Sequence, residues 1–354
     1  MKIGILTFHW AANYGAVLQC YALQTFLQGL GHEVEVINYK PRYYDDTVVS
    51  FIRKKKFLHL REYLNTRRRD ASLELFRAQR LNLTERLHTW KEIGGIADRY
   101  DAIISGSDQV MNFQFLSHGE GKGVITPSYF LPFPFEGKRI GYALSFGCTE
   151  YPERMRNLVS GHIRNFDFIS VRESTGADIV KSMGRDDAVV VPDPTLLMEP
   201  KFYLQIAEGA IGRSAAGRTF CFFIRNVAER KKSVGRVLDG LLAVWNNYDG
   251  DFTMAAWLAK IRDAEFVVTD SFHCTVMCLK LHRRFAVVTE LKGNVGMNDR
   301  FYTLLGRVEL EDRIVYKEDT DRIRTLRCQE IDWPQVDNAL SDFNETSRVL
   351  AANL

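Results

Sequence analysis

The chain runs to 354 residues, 46% hydrophobic and 26% charged. That composition belongs to a folded protein and excludes disorder of the whole chain. The length exceeds the about 250–300 residues at which single cores stop growing, so two domains are expected. A formal charge of +3 excludes a general nucleic-acid binder, whose affinity comes from a broad basic face.

In chain order, Lys2–Phe8 is a short apolar run and reads as a buried parallel strand. Asn13 and Gly15 interrupt it too early for a signal peptide. After the loop His9–Asn13, the residues Val17, Leu18, Tyr21, Ala22 and Phe26 recur at three- and four-residue spacing, which predicts a helix over Ala16–Leu30. Glu33–Tyr39 is the second strand. Strand, loop, helix and strand in so short a stretch make a βαβ unit of a doubly wound sheet. Pro41 to about Trp90 is charged and helical in texture, and reads as an insert. Within it, Arg53–Arg69 carries eight Lys or Arg residues and one acid, Glu62, with Phe57, Leu58, Leu60, Tyr63 and Leu64 interleaved. Such a run suits peripheral contact with anionic lipid, a solvated insert, or a positive funnel toward a site.

Sheet signals resume at Tyr100–Ser105, Arg139–Phe146, Phe168–Val171 and Ala188–Val191, with a helix at Met155–Arg164. A break over Glu199–Gly217 precedes a second α/β pattern: strand Thr219–Ile224, helix 228–243, strand Phe266–Thr269, helix Thr275–Leu281 and strand Phe285–Val288. The expected architecture is α/β, with two Rossmann-like domains facing a cleft. The first spans 1–198 with a helical insert at about 41–95, the second spans 199–330, and a helical tail over 331–354 is able to return to the first. No run of 18 uncharged apolar residues occurs, so no spanning helix is expected. Six cysteines without a CxxC pair read as free thiols in a reducing, cytoplasmic compartment.

Five polar clusters follow these strands: His9–Asn13, Gly106–Gln109, Arg172–Ser174, Asp193–Thr195 and Asp270–His273. Open α/β sheets bind ligands beyond the carboxyl ends of their strands. Asn13 and Gly15 open a helix whose free amides suit a phosphate, or Asn13 simply caps it. There is no GxGxxG fingerprint, so NAD is not expected. Asp108 is placed to orient a sugar hydroxyl or take its proton, with Ser107 and Gln109 as substrate-binding neighbours, or else to cap the next segment. Arg172 and Arg225 are candidates to grip phosphate or carboxylate; Glu173 is the structural alternative for Arg172. Ser271 suits an N-cap and a substrate contact. It puts His273 in the first helical turn, where a bound anion would help keep it charged for proton transfer; the alternative is a buried histidine bonded to Asp270. Cys274 and Cys278 read as core, and no metal-ligand set is present.

The blocks TFHWAANYGAVLQCYALQ at 7–24, IISGSDQVMN at 103–112, SVRESTG at 170–176, VPDPTLL at 191–197 and TDSFHCTV at 269–276 resemble, in order and spacing, the polysaccharide pyruvyl transferases, most of all those of capsule or exopolysaccharide assembly. The resemblance implies a GT-B-like arrangement and transfer of the pyruvyl unit of phosphoenolpyruvate to two hydroxyls of one sugar, giving a cyclic ketal and phosphate. The implied acceptors are lipid-linked or polymer sugars and no metal or redox cofactor is implied; the expected location is cytoplasmic, with peripheral contact at the inner face of the membrane as one reading of the basic run 53–69. His273 takes the place of the family's active histidine and Arg172 that of a ligand-binding arginine. Several members carry Arg-Leu-His where this chain has Ser271-Phe272-His273, and Cys274 stands where glycine is usual. The resemblance therefore implies that the missing arginine is supplied by Arg225 or the basic insert, or that the donor differs. Nucleotide-sugar transfer and a non-catalytic glycan-binding role are the alternatives.

Overall fold

The computed structural model describes residues 1–44, 60–117, 124–211, 215–238, 243–246, 250–290 and 298–354. It divides into two compact units, residues 1–197 with 346–354, and residues 198–345.

The first unit is built on a six-stranded parallel sheet in the order β2-β1-β3-β4-β5-β6. Its strands are β1 (Lys2–Leu6), β2 (Glu33–Val36), β3 (Ala102–Ser105), β4 (Lys138–Leu144), β5 (Phe168–Val171) and β6 (Val189–Val190). Side chains alternate between its two faces, as strand geometry requires. Ile3, Ile5, Ala102, Ile104 and Ile140 join one core with Cys20, Leu23 and Leu27 of the helix Tyr14–Gly29. Ile103, Leu144, Ile169 and Val171 join a second with Val159 and Ile163 of the helix Glu153–Arg164. Both faces are covered, which is why the strands read as plain apolar runs.

The expected insert contains the helices Leu60–Arg80 and Trp90–Ile96. The second is started by a capping box: the Thr89 hydroxyl accepts from Glu92 N–H (3.2 Å) and Glu92 Oε2 accepts from Thr89 N–H (2.9 Å). Residues 53–59 of the basic run lie outside the described residues. Among the described residues no helix is long and apolar enough to cross a membrane.

The segment Arg348–Asn353 is a short helix that belongs to the first unit. Leu350 is fully buried in the core that includes Ile3 and Ile5 of β1, and Lys138 Nζ donates to the main-chain oxygens of Asn353 and Leu354, 2.9 Å each. Leu350→Ala is expected to cost about 2–5 kcal/mol, the usual range for emptying a buried leucine site. Urea unfolding of the variant against the parent checks this.

The second unit repeats the pattern with β7 (Thr219–Phe222), β8 (Ala243–Trp245), β9 (Phe266–Thr269), β10 (Phe285–Thr289) and β11 (Ile314–Tyr316), ordered β11-β10-β9-β7-β8 and all parallel. Read from β7, this is the order of the first five strands of the other sheet. Each sheet thus has its topological switch beside its first strand, between β1 and β3 and between β7 and β9.

Several expected bounds move. The helix expected over 228–243 stops at Val237, and Ala243–Trp245 is strand β8 instead. The helix after β9 runs Phe272–Lys280 with Ser271 at its N-cap, as the cap reading expects, so it starts before the Thr275 of the coarser strand–helix pattern. The helices Met254–Asp263, Asp299–Arg307 and Arg322–Cys328, and strand β11, are additions to the sequence reading, while the expected helical tail is two helices, Trp333–Glu345 and Arg348–Asn353.

Candidate active site

The first unit gathers its polar residues beyond the carboxyl ends of β1, β3, β4, β5 and β6. At the switch point Thr7 Oγ1 donates to the Ser107 carbonyl (2.8 Å), and Gln19 Nε2 donates to Thr7 Oγ1 (2.9 Å). The Gly106–Ser107 peptide bond is cis. Gly106 has φ 108°, and a Cβ there would lie 2.3 Å from the Tyr142 carbonyl oxygen, so only glycine fits. Asp108 has φ 72°, rare for a side-chain-bearing residue. It is held there by its carbonyl, which accepts from Val110 N–H (2.8 Å) and Ser145 N–H (3.2 Å). Left-handed residues held this firmly concentrate at functional sites.

Arg172 follows β5, 3% exposed. Its Nη1 donates to Asp193 Oδ2 (3.0 Å), while Asp108 Oδ1 lies 3.5 Å from Nη2 and Glu173 Oε2 3.6 Å from Nε. Burial opposes its charge, but Asp193, Glu173 and Asp108 together outweigh burial and raise its pKa. Asp193 is itself fully engaged. Its Oδ1 accepts from Thr195 N–H (3.0 Å) and Oγ1 (2.6 Å), and its Oδ2 lies 3.1 Å from Ser107 Oγ. Glu173 Oε1 accepts from Ser145 Oγ (2.6 Å) and Phe146 N–H (3.1 Å). Ser107, Asp108 and Arg172 are therefore brought together, with Gln109 next in the chain. Asp193 and Glu173, absent from the expected site residues, complete the group. The sequence signal for Asp193 was the polar run Pro192-Asp193-Pro194-Thr195 after a strand, and that for Glu173 was its place beside Arg172 as the structural alternative.

Asn13 and Gly15 stand at the start of the helix Tyr14–Gly29. Asn13 Oδ1 accepts from Gly15 N–H (2.9 Å), an N-cap contact. Arg77, paired with Asp70 and Glu74, fixes the preceding loop by donating to the carbonyls of His9 (3.3 Å) and Ala11 (3.4 Å). Burial pushes the pKa of His9 down to about 4, so it is neutral near pH 7.

In the second unit the organising residue is Asp270, at the end of β9. Its carboxylate accepts from the amides of Ile224 (2.7 Å) and Arg225 (3.1 Å), tying the ends of β7 and β9 together. Burial pushes its pKa up; the two amides and Arg225 pull the other way. Ser271 Oγ accepts from Cys274 N–H (3.4 Å), and Ser271 N–H donates to Thr269 Oγ1 (3.0 Å). This places His273 in the first turn of the helix Phe272–Lys280, 5% exposed, with the Phe272 ring edge-on to it at 5.4 Å. Arg225 is mostly buried, which lowers its pKa against the pull of Asp270 and Glu290. Ser271, His273 and Arg225 thus share one neighbourhood. Cys274 and Cys278 are buried; burial and Cys274 push the Cys278 thiol up. No group of three or more metal-ligating side chains occurs among the described residues.

Two parallel-sheet α/β units of repeated strand order, with polar residues clustered at both switch points, define a protein of the GT-B class. Solved structures of this architecture include the Methanocaldococcus jannaschii UDP-GlcNAc 2-epimerase in complex with UDP-GlcNAc and UDP. It is 11% identical, covers 99% of this chain and 100% of that one, and has a TM-score of 0.56. The UDP-N-acetylglucosamine 2-epimerase of Rickettsia bellii is similar at 8% identity over 99% and 96%, with a TM-score of 0.54. At these identities the likeness is one of fold. Among curated proteins, none matches the sequence. The family model for polysaccharide pyruvyl transferases matches residues 13–290, and the chain belongs to that family.

Proposed function

We propose that the protein transfers the pyruvyl group of phosphoenolpyruvate to two hydroxyls of one sugar in a polysaccharide or lipid-linked precursor, closing a ketal and releasing phosphate. The observation that carries this is the family match over 13–290, which takes in Asp108, Arg172, Arg225 and His273. In the scheme, the methylene carbon of the enol gains a proton and becomes a methyl group, leaving a cation-like centre beside the carboxylate. One sugar hydroxyl bonds to that centre and gives up its proton. The carbon–oxygen bond to phosphate breaks, and the second hydroxyl closes the ring. Two hydroxyl protons are released; one replaces that taken by the methylene carbon and the other leaves with phosphate.

His273 serves as the acid, and Asp108 as the base or orienter of the acceptor. Arg225 meets the negative charge of the donor, since Ser271 is a cap and brings no charge. Arg172 stands among three carboxylates, which favours holding Asp108 in place over gripping the donor, as first expected of it. No metal or redox cofactor enters the scheme.

The test is incubation with phosphoenolpyruvate and a panel of glycosides and lipid-linked sugars, following phosphate release and product mass. Acceptor-dependent phosphate with a pyruvylated product is the expected result. Product formed only from UDP- or GDP-sugars would replace the proposal by glycosyl transfer.

A further inference from the structure

The first unit has a cavity of about 400 Å³ that the scheme above does not use. Its described lining comes from the loop after β1, the segment after β2 and the helix Leu60–Arg80. None of that lining follows β3, β5 or β6, so it does not belong to the Arg172 cluster. One wall is aromatic. The Trp10 and Tyr44 rings lie 5.0 Å apart, tilted by 33°. Both are held by the protein: Phe8 meets Trp10 edge-on at 5.7 Å, and Tyr44 Oη donates to the Phe115 carbonyl (2.7 Å). The loop that carries Trp10 is pinned by Arg77 through the carbonyls of His9 and Ala11.

The charges of the lining are unequal. Lys40 Nζ stands 5.9 Å from the centre of the Trp10 ring, and the helix brings Arg67. Asp70, the carboxylate in the described lining, has Oδ1 on Arg77 Nη2 (3.0 Å), which offsets its charge. Thr66 adds a hydroxyl.

A volume in the range of about 300–1,000 Å³ suits a ring-sized ligand. Inorganic phosphate would fill little of it, and a purely apolar ligand would strip water from two cations. A sugar offers C–H faces to an aromatic wall and hydroxyls to Thr66 and Asp70. A carboxylate or phosphate on that sugar would meet Lys40 and Arg67 in charge-assisted hydrogen bonds. We propose that this cavity is a second carbohydrate site, for a sugar that bears a negative group. The proposal stands on the lining and does not rest on pyruvyl transfer. Under pyruvyl transfer it gains a meaning, because the ketal carries a carboxylate and a glycan already modified displays the group the cavity selects.

Lys40→Met removes one charge and keeps an unbranched chain beside Trp10; Lys40→Arg restores the charge. The full chain and both variants, matched by thermal melting, are titrated by ligand-observed NMR. The probes are methyl glucuronide, a methyl galactoside carrying a pyruvate ketal, methyl glucoside and inorganic phosphate. At least one acidic glycoside binds the parent about tenfold or more tightly than methyl glucoside or inorganic phosphate. It weakens about tenfold or more in Lys40→Met and recovers in Lys40→Arg. Arg67→Gln gives the same loss if Lys40→Met does not fold. Preference for the uronide or for the ketal tells a native acidic sugar from the modified product, and either supports the site. Acidic glycosides bound no better than methyl glucoside, binding matched by inorganic phosphate, or binding unmoved in Lys40→Met and Arg67→Gln alike overturns it. Such a failure leaves pyruvyl transfer standing, since that is read separately from phosphate release and product mass.

Discussion

Asp193→Ala is expected to destabilise the first unit by about 3–5 kcal/mol, the range for breaking a buried ion pair from one side. Its carboxylate is fully buried and is the nearest partner of Arg172 at 3.0 Å. Removing it strips that guanidinium of its best acceptor in a place water does not reach. The same oxygens also accept from Thr195 N–H and Oγ1, and one of them lies beside Ser107 Oγ, so several polar groups lose a partner at once. Asp108 and Glu173, at 3.5 and 3.6 Å, compensate only in part. Urea unfolding followed by far-ultraviolet circular dichroism reads the shift. Asp193→Asn keeps the shape and one acceptor oxygen, and is expected to fall between the parent and the alanine variant. An alanine variant as stable as the parent would show that the pair is dispensable to the fold.

The second large effect concerns turnover. His273→Ala is expected to lower kcat by about 10²–10⁴-fold, the usual contribution of a positioned acid or base, with little change in melting temperature. His273 lies in the first turn of its helix, whose start is capped by Ser271 and whose preceding strand end is tied to β7 by Asp270. Phosphate release under saturating donor and acceptor measures the loss. A folded variant with normal turnover would remove His273 from the chemistry.

The strands that carry the site were the most legible part of the sequence. FISV and FVVT are apolar throughout because parallel strands covered on both faces have no polar side to show, and β5 and β9 occupy the expected residues. The polar clusters stood out because each follows such a run directly. Edge strands were harder. Ala243–Trp245 is three half-buried residues with no period to detect; its first residue was absorbed into the helix before it and the other two were assigned to no element.

The partnerships within the site needed sheet order, which no local pattern gives. Arg172 meets Asp193 because Val171 and Val190 are paired on neighbouring strands, so the residues just beyond them emerge side by side. Phe222 and Thr269 are paired likewise, which hands Asp270 to the amides of Ile224 and Arg225. From sequence alone His273 was the structural alternative partner for Asp270, since nearness along the chain was all there was to use.

The burial of Leu350 in the first unit's core carries a consequence for synthesis. A nascent chain that has reached residue 345 already holds all six strands of the first sheet and the whole of the second unit. It still lacks Leu350, a fully buried member of the core that also holds Ile3, Ile5 and Leu27. The part made first on the ribosome is therefore the part finished last. Until 346–354 emerge, that core is short of one of its fully buried apolar side chains.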